Sequence, residues 1–132
     1  VILAWLLPDE IYQNSANSIL NLHGLGKLSL ISPSILPYEV INGIRNSIQR
    51  KRINQKIAYQ LLSVFRKTEI ELIAPDEKII LDLSIKENLS AYDSAYVSLI
   101  HMRNKILITA DKKLYDVLKK QIKSVIWIEE FI

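Results

Sequence analysis

The sequence of 132 residues contains no cysteine and only two histidines, His23 and His101. Without cysteine the chain cannot form a disulfide framework, a thiolate zinc site or a cysteine nucleophile. The two histidines are far apart and lack the spacing of metal ligands, so we do not expect a histidine-rich metal site. Any metal would therefore be held by carboxylates, which favour hard ions such as Mg²⁺ or Mn²⁺.

The sequence also lacks an apolar run near the roughly 20 residues that a transmembrane helix needs. The apolar residues 1–7 have no basic flank and run directly into Pro8, so we interpret them as buried structure and not as a signal peptide. A composition of 49% hydrophobic and 23% charged residues predicts a single domain over residues 1–132. These features favour a cytoplasmic protein without membrane contact, and the net charge of +3 permits a nucleic-acid partner.

Apolar periodicity and turn residues predict strands that alternate with helices along the chain. The predicted strands are residues 28–31, 71–73, 105–109 and 125–128. The predicted helices are residues 34–51, 54–67, 76–87, 91–103 and 111–121. The continuous apolar run at 105–109 is typical of a strand buried on both faces of a parallel sheet. The pattern predicts an α/β fold with a mostly parallel sheet, in which chemistry collects at the carboxyl ends of the strands.

Asp93 is the most informative acidic residue. A helical wheel places it in an apolar stripe with Val97 and Ile100, while Ser94 and Ser98 form the polar side. A carboxylate in an apolar stripe must be paired, protonated or bound to a cation. Asp93 is therefore either a structural carboxylate, bonded to a helix end or an arginine, or part of a functional site.

Asp111 and Glu39 also have two interpretations each. Asp111 directly follows the buried strand, where it could cap the next helix or face a ligand crevice. Glu39 lies on the polar side of its helix, where it could be a solvated residue favoured by the helix dipole. Asn42, three residues on, could share a ligand with it. Clustered carboxylates that hold Mg²⁺ or Mn²⁺ are what phosphodiester cleavage requires, so the three acids together indicate that chemistry.

Two groups of basic residues extend from the predicted helices that carry Glu39 and Asp111. The candidates for phosphate contacts with RNA are Arg45, Arg50, Lys51, Arg52, Lys112 and Lys113. The same residues are equally consistent with solvated helix faces. Tyr38 could stack on unpaired bases, whereas core packing is the better interpretation for Tyr92 and Tyr96.

Four segments, read in order, resemble the PIN-domain ribonuclease family and, within it, VapC-type toxins. They are residues 1–10 (VILAWLLPDE), 33–42 (PSILPYEVIN), 89–96 (LSAYDSAY) and 107–114 (LITADKKL). The resemblance covers essentially the whole chain and implies a three-layer α/β/α sandwich with a mostly parallel central sheet. The family begins with a short strand that ends in an aspartate, and residue 1 already lies past that point, so we expect the first strand to be missing.

The resemblance implies a metal-dependent endoribonuclease, the toxin of a toxin–antitoxin pair. Glu39, Asp93 and Asp111 would be its catalytic and metal-binding carboxylates for Mg²⁺ or Mn²⁺, with Asn42 and Thr109 as supporting groups. The implied partners are RNA, a small VapB-like antitoxin and a second copy in a homodimer. Two alternatives stay open: a PIN-fold interaction module without catalysis, because one acidic residue is absent, and an RNA-processing nuclease without an antitoxin.

Overall fold

The structure, a computed structural model, describes residues 1–131. Its helices are α1 (Ile2–Leu6), α2 (Gln13–Gly24), α3 (Leu36–Gln49), α4 (Gln55–Arg66), α5 (Glu77–Glu87), α6 (Ala91–Arg103) and α7 (Lys112–Leu118). Its strands are β1 (Ile31–Pro33), β2 (Glu71–Ile73), β3 (Leu107–Thr109) and β4 (Val125–Trp127), followed by a 3₁₀ turn at Ile128–Glu130. The predicted alternation of strands and helices is confirmed, and α1 and α2 lie outside the five predicted helices.

The strands form two separate parallel pairs. Ser32 lies opposite Leu72 in the β1–β2 pair, and Ile108 lies opposite Ile126 in the β3–β4 pair. The predicted parallel pairing is confirmed, but the strands of residues 1–131 do not form one continuous sheet. The prediction that residues 105–109 are buried on both faces is wrong, because Ile106 is 57% exposed beside the gap between the two pairs.

Strand β1 lies further along the chain than the predicted strand at residues 28–31. The Glu71 N–H donates to the Leu30 carbonyl at 3.2 Å, and the Ser34 N–H donates to the Ile73 carbonyl at 2.8 Å. Because backbone groups of successive strand residues point to opposite sides, those of Ile31 and Pro33 point away from β2. Pro33 is tolerated in the strand because the N–H group that it lacks would not have bonded β2.

Helix α6 lies beneath both strand pairs, since it packs against β1 and against β3. Ser94 and Ser98, predicted for its polar side, are completely buried. They are accommodated by short hydrogen bonds: Ser84 Oγ donates to Ser94 Oγ at 2.9 Å, and Ser98 Oγ donates to the Ala95 carbonyl at 2.7 Å. Helix α6 is therefore buried on more than one side, and it holds the β1–β2 and β3–β4 pairs in place.

Helix α1 crosses α3 at close range. A Cβ atom at Gly43 would lie 2.5 Å from the Leu3 side chain, so glycine allows the two helices to approach. Val40 of α3 and Ile19 of α2 are 0% and 1% exposed, and they belong to two separate apolar clusters. None of the helices in the described part of the chain has the length and hydropathy that crossing a bilayer requires.

Candidate active site

An open cleft of about 650 Å³ separates the β1–β2 pair from the β3–β4 pair. We call it the inter-sheet cleft. One wall follows residues 28–32 and the opposite wall follows residues 104–111, while α3 contributes Glu39 and α6 contributes Asp93. Asp111 lies at the end of the second wall. All three carboxylates predicted from the sequence therefore line one cavity of the size that ligand sites commonly have.

Glu39 is positioned by the first turn of α3 and by a partner on α6. Its Oε2 accepts a hydrogen bond from the Tyr96 hydroxyl at 2.5 Å, and both residues are partly buried. Burial, together with this hydrogen bond, raises the pKa of Tyr96 well above its ordinary value. The hydroxyl thus stays protonated through the neutral pH range and acts as a permanent donor, which holds Glu39 in one orientation.

We expect the free energy of unfolding to fall less at alkaline pH in Tyr96→Phe than in the wild type. Since the pKa of Tyr96 is raised from 10.0, its contribution to the free energy of unfolding is present below about pH 10 and is lost as the pH rises further. Urea denaturation at about pH 8 and pH 10.5 measures this loss. Tyr59→Phe is the control, because that side chain is 67% exposed. The same pH dependence in wild type and Tyr96→Phe would contradict the assignment.

Asp93 lies in the first turn of α6, where the Ser90 Oγ accepts a hydrogen bond from the Asp93 N–H at 3.0 Å. Its predicted neighbours Val97 and Ile100 are buried. Among residues 1–131, no arginine or helix-terminal N–H group bonds the Asp93 carboxylate, so the structural interpretation finds no support there. The charges of Asp93 and Glu39 both help to raise the pKa of Tyr96, so both carboxylates lie near that side chain.

Asp111 is the N-cap of α7, and its Oδ1 accepts a hydrogen bond from the Leu114 N–H at 3.0 Å. Its own N–H donates to the Thr109 Oγ1 at 3.0 Å, and Thr109 is buried. The capping interpretation is therefore confirmed. It is compatible with the functional one, because the cap uses one carboxylate oxygen and the residue also lines the inter-sheet cleft.

The three carboxylates share the cleft without forming a compact cluster. Within residues 1–131, no three histidine, aspartate or glutamate side chains lie close enough to hold one metal ion. Their chemistry fits Mg²⁺ or Mn²⁺, since all are hard oxygen donors. The Ser32 Oγ, buried on the cleft wall without a hydrogen-bond partner in the described chain, is a further oxygen of this kind. Coordination by Glu39, Asp93 and Asp111 together stays a prediction.

Asn42 and the predicted basic residues lie on the outer surface. Asn42 is exposed on α3 and is not part of the cleft lining. Arg52 donates to the Glu10 carboxylate at 2.9 Å and to the Pro8 carbonyl, so it fastens the loop after α1. This internal pairing makes a structural role the better interpretation of Arg52.

The remaining predicted basic residues differ in how far they are engaged. Arg45 donates to the Gln49 side chain at 3.3 Å. Lys112 pairs with Asp116 at 3.3 Å and lies 5.2 Å from the centre of the Tyr115 ring. Arg50, Lys51 and Lys113 are exposed. Contacts of these side chains with RNA stay predictions.

Sequence reasoning missed several residues at the cleft. Tyr96 was interpreted as a core residue, although it lies three positions from Asp93 on the same helix face, a spacing that could have indicated a shared site. Ser32 carried no signal except its place at a strand end. Asn104 and Lys105 line the cleft beside the amino end of β3, opposite the end that holds the carboxylates.

Comparison with known proteins agrees with this geometry. Residues 1–120 match the PIN domain family. The chain is also similar to a VapC ribonuclease of Mycobacterium bovis and to ribonuclease VapC9 of Mycobacterium tuberculosis, each 33% identical over 87 residues. These alignments cover 64% of this chain and 66% of each relative, slightly less than two thirds of the relatives' length. The family match covers most of the chain and includes all three carboxylates, so this chain belongs to the PIN domain family, and the curated relatives that it resembles are VapC ribonucleases.

Proposed function

We propose that the protein is a metal-dependent endoribonuclease of the VapC type, the toxin of a toxin–antitoxin pair. The observation that carries the proposal is the convergence of Glu39, Asp93 and Asp111 on one cleft of a PIN-domain chain. Carboxylates that line one cavity supply the hard oxygen ligands that Mg²⁺ and Mn²⁺ prefer. We propose RNA as the substrate, because a carboxylate-held metal ion can provide the chemistry that cleavage of its phosphodiester bonds requires.

Each residue of the proposed site has a separate task. Glu39, Asp93 and Asp111 would hold the Mg²⁺ or Mn²⁺, and the bound ion would supply an activated water and neutralise charge on the phosphate. Tyr96 keeps Glu39 oriented through its hydrogen bond of 2.5 Å. Thr109 accepts the Asp111 N–H and so fixes the backbone from which that carboxylate projects.

We place the RNA backbone along the solvated basic side chains around the cleft. Lys105 lies on the cleft lining itself, and Lys113 lies on α7 behind Asp111. Phosphate contacts from such side chains supply affinity that falls with salt concentration. Arg50 and Lys51, at the end of the helix that carries Glu39, would add further contacts to the RNA backbone.

The antitoxin partner is proposed for an apolar groove of about 310 Å³ between α3 and α4. Ile41 and Tyr59 line it and are 49% and 67% exposed. An amphipathic helix of a VapB-like antitoxin suits such a groove, because its apolar face would cover these side chains. We also propose that the protein forms a homodimer and that the two strand pairs belong to a three-layer α/β/α sandwich, with α6 on one side and α2 on the other.

A second candidate function is a PIN-fold interaction module without catalysis. It is favoured by the lack of a compact three-carboxylate cluster in residues 1–131. In that case the cleft carboxylates would be structural, and the apolar groove between α3 and α4 would be the functional surface.

Incubation of a structured RNA with the protein and Mn²⁺ separates the two candidates. We expect the wild type to cleave, and the variant with Glu39, Asp93 and Asp111 changed to alanine to be at least ~100-fold slower. The matched control changes the exposed residues Glu71, Glu77 and Asp82 to alanine, which alters the net charge equally but leaves the cleft intact. Equal cleavage by both variants would contradict the enzyme proposal, and no cleavage by the wild type would favour the interaction module.

A further inference from the structure

Tyr38 and Tyr92 are exposed aromatic residues that adjoin two of the cleft carboxylates in the chain. Tyr38 directly precedes Glu39 in the first turn of α3, and Tyr92 directly precedes Asp93 in the first turn of α6. Their exposed fractions are 72% and 61%. The prediction that Tyr92 packs in the core is therefore wrong. Helical side chains lean towards the N-terminus of their helix, so an aromatic side chain in the first turn extends beyond the residues that would cover it.

The two exposed tyrosines lie close to one hydrogen bond of the candidate site. The Tyr96 hydroxyl donates to the Glu39 Oε2 at 2.5 Å, which brings the first turn of α3 against α6. Tyr92 precedes Tyr96 by four residues, so the two share a face of α6 and lie about one turn, or about 5.4 Å, apart along it. Tyr38 is the chain neighbour of Glu39. Each exposed side chain therefore leaves its helix within about one turn of the contact between α3 and α6.

Tyrosines elsewhere in the molecule have different surroundings. The Tyr12 ring meets the Trp127 ring edge-on, with 5.2 Å between the ring centres. Tyr59 is 67% exposed, but it lines the apolar groove between α3 and α4. Tyr38 and Tyr92 line neither that groove nor the inter-sheet cleft. Their rings are therefore separate from the surface proposed for the antitoxin, and they are accessible to a ligand that is bound at the carboxylates.

Exposed aromatic rings suit the flat faces of nucleic-acid bases. Stacking buries apolar surface on both partners and accepts any base, because each base has a π face. Bases within a duplex already stack on one another, so a side chain can reach only unpaired ones. We infer that Tyr38 and Tyr92 are a base-stacking pair, which holds the unpaired bases next to the phosphate that is cleaved and so selects unpaired segments of RNA. The inference rests on the proposed function in taking RNA as the ligand of this site.

Binding of a short RNA tests the inference without cleavage. The probe is a fluorescein-labelled RNA of six adenosines, and its Kd is measured by fluorescence anisotropy with Ca²⁺, a hard cation that carboxylates also bind, in place of Mn²⁺. A gel verifies that the probe stays intact. We expect Tyr38→Leu and Tyr92→Leu each to weaken binding at least ~5-fold, because leucine cannot stack on a base. The tryptophan variants of both positions should bind like the wild type. Tyr59→Leu is the matched control, and we expect no change from it.

Two further measurements separate stacking from other roles of the tyrosines. An abasic probe with the same phosphates should bind the wild type and both leucine variants equally. The dependence of Kd on salt concentration should also be the same in all three, because no phosphate contact is lost. An equal loss with the abasic probe, or tryptophan variants as weak as the leucine variants, would overturn the inference.

The inference and the proposed function fail separately. Unchanged binding by both leucine variants, or no binding of the adenosine probe by the wild type, would overturn the base-stacking pair even if the wild type cleaves RNA with Mn²⁺. Binding that depends on Tyr38 and Tyr92, together with no cleavage by the wild type, would instead support the pair and contradict the proposed ribonuclease activity.

Discussion

Replacing Asp93 with asparagine is expected to lower the rate of RNA cleavage at least ~100-fold, while the free energy of unfolding stays the same or rises. The two quantities move apart because Asp93 bears an uncompensated charge. It is partly buried, no arginine bonds it among residues 1–131, and it lies near Tyr96, as Glu39 does. Asparagine keeps the shape of the side chain and removes one of two like charges, which relieves repulsion in the folded state.

Measuring activity and stability together distinguishes a functional from a structural role of Asp93. A structural carboxylate would stabilise the fold, so its replacement would lower the free energy of unfolding. Asp82→Asn on α5 is the control, because Asp82 is exposed and pairs with Lys78 at 2.8 Å. We expect that variant to cleave RNA like the wild type. Full activity of Asp93→Asn in the Mn²⁺ assay would remove Asp93 from the proposed site.

The starts of the helices with capping residues could be predicted almost to the residue. Ser90 accepts from the Asp93 N–H, Asp76 accepts from the Lys78 N–H, and Asn54 accepts from the Ile57 N–H. Such caps depend on three or four neighbouring residues, so the sequence contains all the information that they need. Helix α6 accordingly begins and ends where it was predicted.

Helix α2 could not be predicted in the same way. Its exposed positions include Asn14, Asn17 and Ser18, which are weak helix formers because their side chains compete for backbone hydrogen bonds. The helix is stabilised instead by Ala16 and Ile19, which are 0% and 1% exposed in a cluster with Ile128. That contact joins residues far apart in the chain, so local propensity does not report it.

The division of the strands into two separate pairs could not be predicted from local sequence patterns either. Each strand has three paired residues, and the position of β1 is set by its partner β2 about forty residues later, through pairs such as Ser32 with Leu72. The apolar run at residues 105–109 looks the same in the sequence whether its neighbour is a strand or a cleft. Only the arrangement of both pairs on α6 distinguishes the two cases.

The carboxylates of the candidate site could be predicted from the sequence, but their hydrogen-bond partners could not. Glu39, Asp93 and Asp111 each follow a recognisable signal, either a helix start or a strand end. The hydrogen bond between Tyr96 and Glu39 joins residues 57 positions apart, and nothing in either helix alone indicates it. Long-range polar contacts of this kind arise from packing, which decides what each helix face meets.

Leu118→Ala is expected to have the largest effect on stability, because Leu118 is 1% exposed in the cluster that joins α7 to α6 and β4. Removing a buried leucine side chain costs about 2–5 kcal/mol, a large part of a typical stability of about 5–15 kcal/mol. Urea denaturation measures the loss. The neighbouring Val117→Ala is the control, since that side chain is 40% exposed and alanine favours the helix.

Measuring cap variants beside Leu118→Ala tests what holds helix α7, whose N-cap is Asp111. Asp111→Asn keeps the capping oxygen, and even complete loss of an N-cap costs only about 1 kcal/mol. If packing through Leu118 positions α7, the leucine variant should lose several times more stability than any cap variant. A similar loss for Leu118→Ala and Asp111→Ala would mean that the cap, and not the apolar cluster, fixes the helix and the carboxylate at its start.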